Sequence, residues 1–189
     1  MQESAEDVRQ GEIPHANRTL ESYTKAFPDA DVEALATHLS VASSAGLMRR
    51  GIEARIREMG FELSRPRYSI IRQLYLSPGH GLAQSDLAQK LNVSGPNVTQ
   101  LIDGLVADGW VERVISAEDR RVVHACLTPE GEDRASRLVP AVVDFMVSSC
   151  DSLTSEEQAT LQALLMKVRA SVDALGMDMP GERPIDRWD

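Results

Sequence analysis

One stretch constrains the fold more than any other: QSDLAQKLNVSGPNVTQLIDGLVADGWVERVISAEDRRVVHACLT, from Gln84 to Thr128. Ser85 to Leu91 reads as a short helix, with Ser85 as its cap and Leu87, Ala88 and Leu91 on one face. Asn92 and Val93 turn the chain. Ser94 is positioned to cap a second helix that tolerates Pro96 in its first turn. In that helix Val98, Leu101, Ile102 and Leu105 share an apolar face, while Asn97, Thr99, Gln100 and Asp103 stay polar elsewhere. Two short helices around a tight turn, the second with a polar outer face, make a helix-turn-helix.

A hairpin follows. Gly109 stops the second helix, and Trp110–Ile115 and Val122–Leu127 have strand composition. The connection SAEDRR carries Asp119, Arg120 and Arg121, so the expected fold is a winged helix with a basic wing tip. The residue types fit double-stranded DNA. Amide and hydroxyl groups on the second helix can meet base edges in the major groove. Guanidinium groups at the tip can meet phosphates or enter the minor groove. The candidate DNA-binding residues are Ser94, Asn97, Thr99, Gln100, Asp119, Arg120 and Arg121. Gln100 is the best base reader, because its amide can pair bidentately with adenine. Ser94 is expected to cap its helix and favour phosphate at the helix N-terminus, and Asp119 to orient an arginine. Alternatively, Asp119 and Arg121 form an ion pair within the turn, and Ser94, Asn97 and Thr99 are surface residues.

Asp119, one residue, Arg121, five residues and then Leu127-Thr128, preceded by LxxxGWVER from Leu105 to Arg113, resemble the wing of the MarR (multiple antibiotic resistance regulator) family. The resemblance runs from about Leu35 to Val172 and ends by Leu175. It implies a mainly α fold: a winged helix-turn-helix with long N- and C-terminal helices forming a dimerisation lobe. It further implies a homodimeric transcription regulator, a repressor released by a small aromatic or anionic ligand. Such a ligand would lie where the first helices meet the long helix after the wing, here near His38, Arg49, Tyr68, Arg72 and Phe145. The chain departs from the family at SGPNVTQLIDG, which lacks the lysine or arginine often found on the recognition helix. More of the affinity then falls on the wing and flanking arginines.

Charge is consistent with that distribution. The net charge is −9, yet residues 62–128 hold seven basic and seven acidic side chains, so the acidity lies outside the lobe that faces DNA. Binding through a few arginines should depend steeply on salt.

The expected organisation is an N-terminal arm over residues 1–30, a MarR-like domain over 31–175 and a disordered tail over 176–189. Within the domain the winged helix occupies about 62–128, and the dimerisation helices occupy 31–59 and 129–175. In the arm, Leu20–Phe27 forms a short helix or stays loose. Asp31 is placed to cap a long helix striped by Leu35, Leu39, Ala42, Gly46, Ile52 and Ile56. Arg49 and Arg50 on it are either a solvated face or a site for an anion. Ser64 and Pro66 open the next helix, and Thr128-Pro129-Glu130 opens a helix that Pro140 should kink. The resemblance implies that Gly81–Ala83 pairs beside the hairpin as a short third strand. Thr154 and Glu157 form a capping box for a last helix. On it, Leu161, Leu164, Leu165 and Val168 are the expected dimer-interface residues. A winged helix alone cannot cover such a stripe, and a second copy would also set two recognition helices about one DNA turn apart over a palindromic operator.

Several classes are excluded. No GxGxxG, GxxxxGK[ST] or GxSxG is present, so no catalytic residue and no cofactor are expected. His38, His80 and His124 lack metal-ligand spacing, and Cys126 and Cys150 suit buried, inert thiols in a reducing cytoplasm. The polar start MQESAEDVRQGE is no signal peptide, and no apolar run reaches the ~20 residues that span a bilayer. The competing reading is a winged helix used only for dimerisation or protein interaction, without specific DNA binding.

Overall fold

A computed structural model describes residues 14–176, with side chains from Arg18 onward. The first thirteen residues of the expected arm, and the expected tail beyond Gly176, lie outside the described residues. The elements in chain order are α1 (Pro14–Ala26), α2 (Val32–Glu58), α3 (Arg65–Tyr75), β1 (Gly81–Ala83), α4 (Gln84–Leu91), α5 (Gly95–Ala107), β2 (Val111–Ile115), β3 (Val123–Leu127), α6 (Pro129–Ser148) and α7 (Ser155–Ala174). Contacts divide the chain into two units, with the boundary between Gly51 and Ile52 inside α2. No described helix is long and apolar enough to cross a membrane.

The first unit holds α1 and most of α2. α1 starts at Pro14, well before the expected Leu20, because proline is tolerated in a first helical turn. Tyr23 and Phe27, one turn apart, stack with ring centroids 6.3 Å apart. Asp31 caps α2 as its position suggests, accepting the Ala34 N–H at 3.0 Å.

The second unit is built on one apolar cluster. Ile56, Ile70, Ile71, Leu74, Leu87, Val98, Ile102, Leu105, Val111, Leu138 and Val142 are fully buried, and Tyr68, Trp110 and Leu127 nearly so. Each such side chain contributes about 1.5–3 kcal/mol relative to exposure. The apolar positions of α4 and α5 read from the sequence all belong to this cluster or pack on it. A three-stranded antiparallel sheet in the order β1-β3-β2 closes one side. Its register pairs Ala83 with His124 and Val111 with Leu127.

Capping follows the sequence only in part. Thr128 and Thr154 cap α6 and α7 through their side chains, and Thr154 and Glu157 complete a capping box. The backbone N–H of Thr154, then its hydroxyl, holds the Glu157 carboxyl below its ordinary range. Ser64 and Ser94 occupy the N-cap positions of α3 and α5 with extended backbone, but neither side chain accepts a capping bond. Ser85 is not a cap. β1 leads directly into α4, Ala83 becomes the N-cap, and the Ser85 hydroxyl turns to Asp86 instead. Between α4 and α5, Asn92 takes a left-handed conformation with φ 52°, which asparagine tolerates. Pro140 sits inside α6, which continues to Ser148.

Two glycines mark close approaches. Gly131, in the first turn of α6, rests against the Trp110 carbonyl, and a Cβ there would lie 2.0 Å from that oxygen. Gly104, in the middle of α5, is crossed by the Arg67 guanidinium on its way to Asp108, with Nη1 to Oδ2 at 2.7 Å. A Cβ at 104 would meet Arg67 Nη2 at 1.8 Å.

The two sites should respond differently to alanine. At Gly104 the obstacle is the end of a flexible side chain. Arg67 can swing away and forfeit a part-exposed ion pair worth about 0.2–1 kcal/mol. Alanine returns about 0.8–1 kcal/mol of helix propensity. Gly104→Ala should therefore be near neutral in urea unfolding. Gly131→Ala meets backbone and should cost about 1–3 kcal/mol or more, lowering the urea midpoint far beyond the Gly104 change. Equal midpoints for the two variants would contradict this packing.

Candidate nucleic-acid interface

α5 presents its apolar side to the core through Val98, Ile102 and Leu105, which turns Asn97, Thr99, Gln100 and Asp103 to solvent. This is the polar outer face expected from the sequence. Its members are not equally available. The Thr99 hydroxyl donates back to the Gly95 carbonyl at 3.0 Å, leaving only acceptor capacity outward. Asn97 and Gln100 are exposed on the same face, and Ser94, also exposed, keeps a side-chain oxygen that caps nothing.

The wing tip is organised by its own polar side chains. Ser116 Oγ accepts the N–H groups of Glu118 and Asp119, and Asp119 Oδ1 accepts the Arg121 N–H at 2.9 Å. The Asp119 carbonyl accepts from Val122 N–H. Asp119 thus holds the backbone of Arg121 in an Asx turn and does not engage its guanidinium. Neither Arg120 nor Arg121 has an ion-pair partner among the described residues, and both are exposed. A rigid turn with two unpaired guanidinium groups is suited to phosphate.

Arginines from outside α5 dress its surface; Arg113 belongs to the LxxxGWVER motif, while Arg67 and Arg134 lie outside it. Arg113 on β2 directs Nη2 to the Asp103 carboxylate at 2.7 Å and the Thr99 carbonyl at 3.4 Å. Arg67 on α3 pairs with Asp108, the C-cap residue of α5. Arg134 on α6 donates to the Asp108 carbonyl at 3.2 Å, pairs with Glu130 and lies over the Trp110 ring at 5.4 Å. Positive groups at the C-terminal end of α5 complement its dipole. For Arg67 the sequence signal is Gly104, an isolated glycine inside a helical pattern.

The expected ligand residues lie on α2, α3 and α6. His38 and Arg49 are exposed on α2 in the first unit. In the second unit, Tyr68 and Arg72 lie one turn apart on α3, and Phe145 is half-buried on α6, the helix that packs on α3. The Tyr68 hydroxyl is buried without a hydrogen-bond partner among the described residues. Burial raises its pKa, and the nearby Arg72 charge offsets part of the rise. His80 stacks on Tyr75 and places Nδ1 3.2 Å from Glu132. Among the described residues, no group of three His, Cys, Asp or Glu side chains could hold a metal. Cys126 and Cys150 are half-buried, not fully buried as expected: Cys126 lies on the central strand, on the face opposite buried Ala125 and Leu127, and Cys150 follows the end of α6. Burial, then the Glu112 charge, raises the Cys126 thiol pKa.

The expected interface residues Leu161, Leu164, Leu165 and Val168 all lie on α7, which has no buried residue. Leu164 is 52% and Leu165 40% exposed, and Met166, Val172 and Leu175 are exposed beside them.

Comparison with known proteins bears on the whole arrangement. The family model described as "MarR family" matches residues 61–122, which covers most of the winged helix. The HTH-type transcriptional regulator PrsX of Escherichia coli is 32% identical over 106 residues, 56% of this chain. The chain spans 64% of that relative's length. The uncharacterized HTH-type transcriptional regulator YpoP of Bacillus subtilis is 32% identical over 107 residues, covering 57% of this chain and 74% of YpoP. Among solved structures, Sco3205, a MarR family transcriptional regulator from Streptomyces coelicolor in complex with DNA, superposes with a TM-score of 0.67 at 24% identity. It covers 82% of this chain, and 98% of Sco3205 is matched, so the likeness extends beyond the winged helix to the long helices. By its sequence relatives, with the fold in agreement, the chain belongs to the MarR family.

Proposed function

We propose that this protein is a homodimeric, sequence-specific DNA-binding regulator that represses transcription and is released by a small aromatic or anionic ligand. The observation that carries the DNA part is the wing tip. Arg120 and Arg121 are exposed and unpaired among the described residues, on a turn fixed by Ser116 and Asp119, beside a helix whose outer face is uncharged at Asn97, Thr99 and Gln100. Phosphate contacts then come from the wing, and base contacts from the helix, with Gln100 reading adenine. A regulator of this kind that covers an operator blocks transcription by occupancy.

α7 supports the homodimer. A helix with a continuous apolar stripe and no buried residue has not yet met its packing partner, and a second copy supplies one of matching chemistry. Tyr68 and Arg72 support the ligand. A buried hydroxyl without a partner costs stability until something fills its hydrogen bond, and Arg72 can pair a carboxylate beside it. Ligand binding that favours a different spacing of the two recognition helices lowers operator affinity.

The deciding experiment is selection from a random duplex pool, followed by fluorescence anisotropy on the selected duplex and on a mixed-sequence control. Enrichment of a palindromic motif supports the reading. Retention of no duplex would make the protein a dimerisation or protein-interaction module. Arg120→Ala and Arg121→Ala should each weaken binding to both duplexes and lower the salt slope by about 0.9 per lost phosphate contact. Unchanged slopes in both would remove the wing from the interface. Leu165→Asp places an unpaired charge on the stripe and should give monomers or unfolded protein by light scattering, and a folded dimer would refute the α7 interface. A hydrophobic carboxylate or phenol should release the selected duplex, and Arg72→Ala should blunt that response while binding DNA normally. A full response from Arg72→Ala would sink the site.

A further inference from the structure

The recognition helix has an anomaly that the wing does not resolve. GPNVTQLIDGLVA contains no lysine or arginine, and its one acidic residue, Asp103, projects from the exposed side. An uncompensated carboxylate there would repel the phosphate backbone on every approach to DNA. It is compensated from outside the helix. Arg113, in the middle of β2, lies on the face of the sheet turned toward α5 and brings Nη2 to within 2.7 Å of Asp103 Oδ1.

The geometry points to Arg113 as the cationic member of the recognition surface, a DNA-phosphate contact lent to α5 by β2 and attenuated by Asp103; this rests on the DNA-binding reading above. Three observations carry it. The guanidinium sits over the turn from Thr99 to Asp103, on the polar side of α5. Its side chain is 32% exposed, so part of it faces solvent. Only Nη2 is engaged by described residues, and a guanidinium has five N–H donors in a planar fork. Nε and Nη1 thus carry donors with no bond among the described residues, which a phosphate can take while Asp103 stays bound. Asp103 has two effects. It holds the fork in place, and it cancels much of the charge that the phosphate would otherwise feel. A neutral acceptor at 103 would keep the first effect and remove the second.

That separation makes the idea testable against a plain ion pair. Arg113→Gln and Asp103→Asn break the same salt bridge, so both lose whatever thermal stability it contributes. A merely structural role predicts weaker DNA binding in both, with the salt slope unchanged. The lent contact predicts opposite signs. Arg113→Gln should lower the slope by about 0.9, which corresponds to roughly eightfold weaker binding at 0.1 M salt. Asp103→Asn should strengthen binding to selected and mixed-sequence duplexes alike and steepen the slope. Arg113→Lys, which keeps the charge, should retain most of the slope and covers the case in which the glutamine variant does not fold. The measurement is anisotropy of the full chain on both duplexes at several salt concentrations. Weakened binding with unchanged slope in Asp103→Asn, or an Arg113 variant that keeps the wild-type slope without its charge, overturns the inference while leaving the regulator reading intact. A wild-type protein that binds neither duplex overturns both.

Discussion

Most of the winged helix depends on one junction, where the end of α5, the start of β2 and the start of α6 meet. Thr128 links all three. Its hydroxyl donates to the Gly109 carbonyl at 2.8 Å and accepts the Gly131 N–H at 2.9 Å, and its own N–H reaches the Trp110 carbonyl at 3.1 Å. Trp110 is buried beside it, edge-on to Phe61 at 5.2 Å and beneath Arg134. Gly131 lets the backbone of α6 come close enough for these bonds to form at once. The wing is thereby fixed relative to the reading helix. A hairpin hinged on a looser joint would not hold its arginines at a fixed place beside that helix.

The same junction sets the electrostatics. Asp108 ends α5 and offers its carboxylate to Arg67 and its carbonyl to Arg134. With Asp103 held by Arg113, the acid on α5 and the acid at its C-cap are each paired by an arginine from another element, β2 and α3. The guanidinium groups of Arg120 and Arg121 stay without ion-pair partners among the described residues, beside the exposed Glu118 and Asp119 carboxylates of the same turn. A chain of strongly acidic overall charge can still expose cations locally this way, because the field close to the surface is set by the unpaired groups within a Debye length of about 8 Å.

The elements themselves were legible in the sequence, for local reasons. Periodic apolar positions place α4 and α5, Thr154 and Glu157 announce α7, and the strands flank a polar turn. The missed details are those that local pattern cannot carry. Ser85 looked like a cap because a serine precedes an apolar run, but sheet pairing of Ala83 decides where the helix starts. Asp119 reads as a residue that orients an arginine, with an ion pair to Arg121 as the alternative; sequence does not show that its carboxylate accepts the Arg121 backbone N–H and leaves the guanidinium alone. The Arg67–Asp108 and Arg113–Asp103 pairs join residues 41 and 10 positions apart. Only the packing of α3 and β2 on α5 brings them together, and every charged residue is an equal candidate until then.

Gly104 has a consequence for how the sequence can drift. Glycine with Arg67 threaded across it, and alanine with Arg67 displaced, are nearly isoenergetic, because helix propensity gained offsets the ion pair lost. Selection on folding alone therefore sees little difference between them. The electrostatic surface sees a large one: the alanine lineage carries a bare Asp108 and a loose cation on α3, where the glycine lineage has a neutral seam. Residues 67 and 104 are thus a coupled pair through which the charge around the reading helix can be rewritten without a trace in thermal stability.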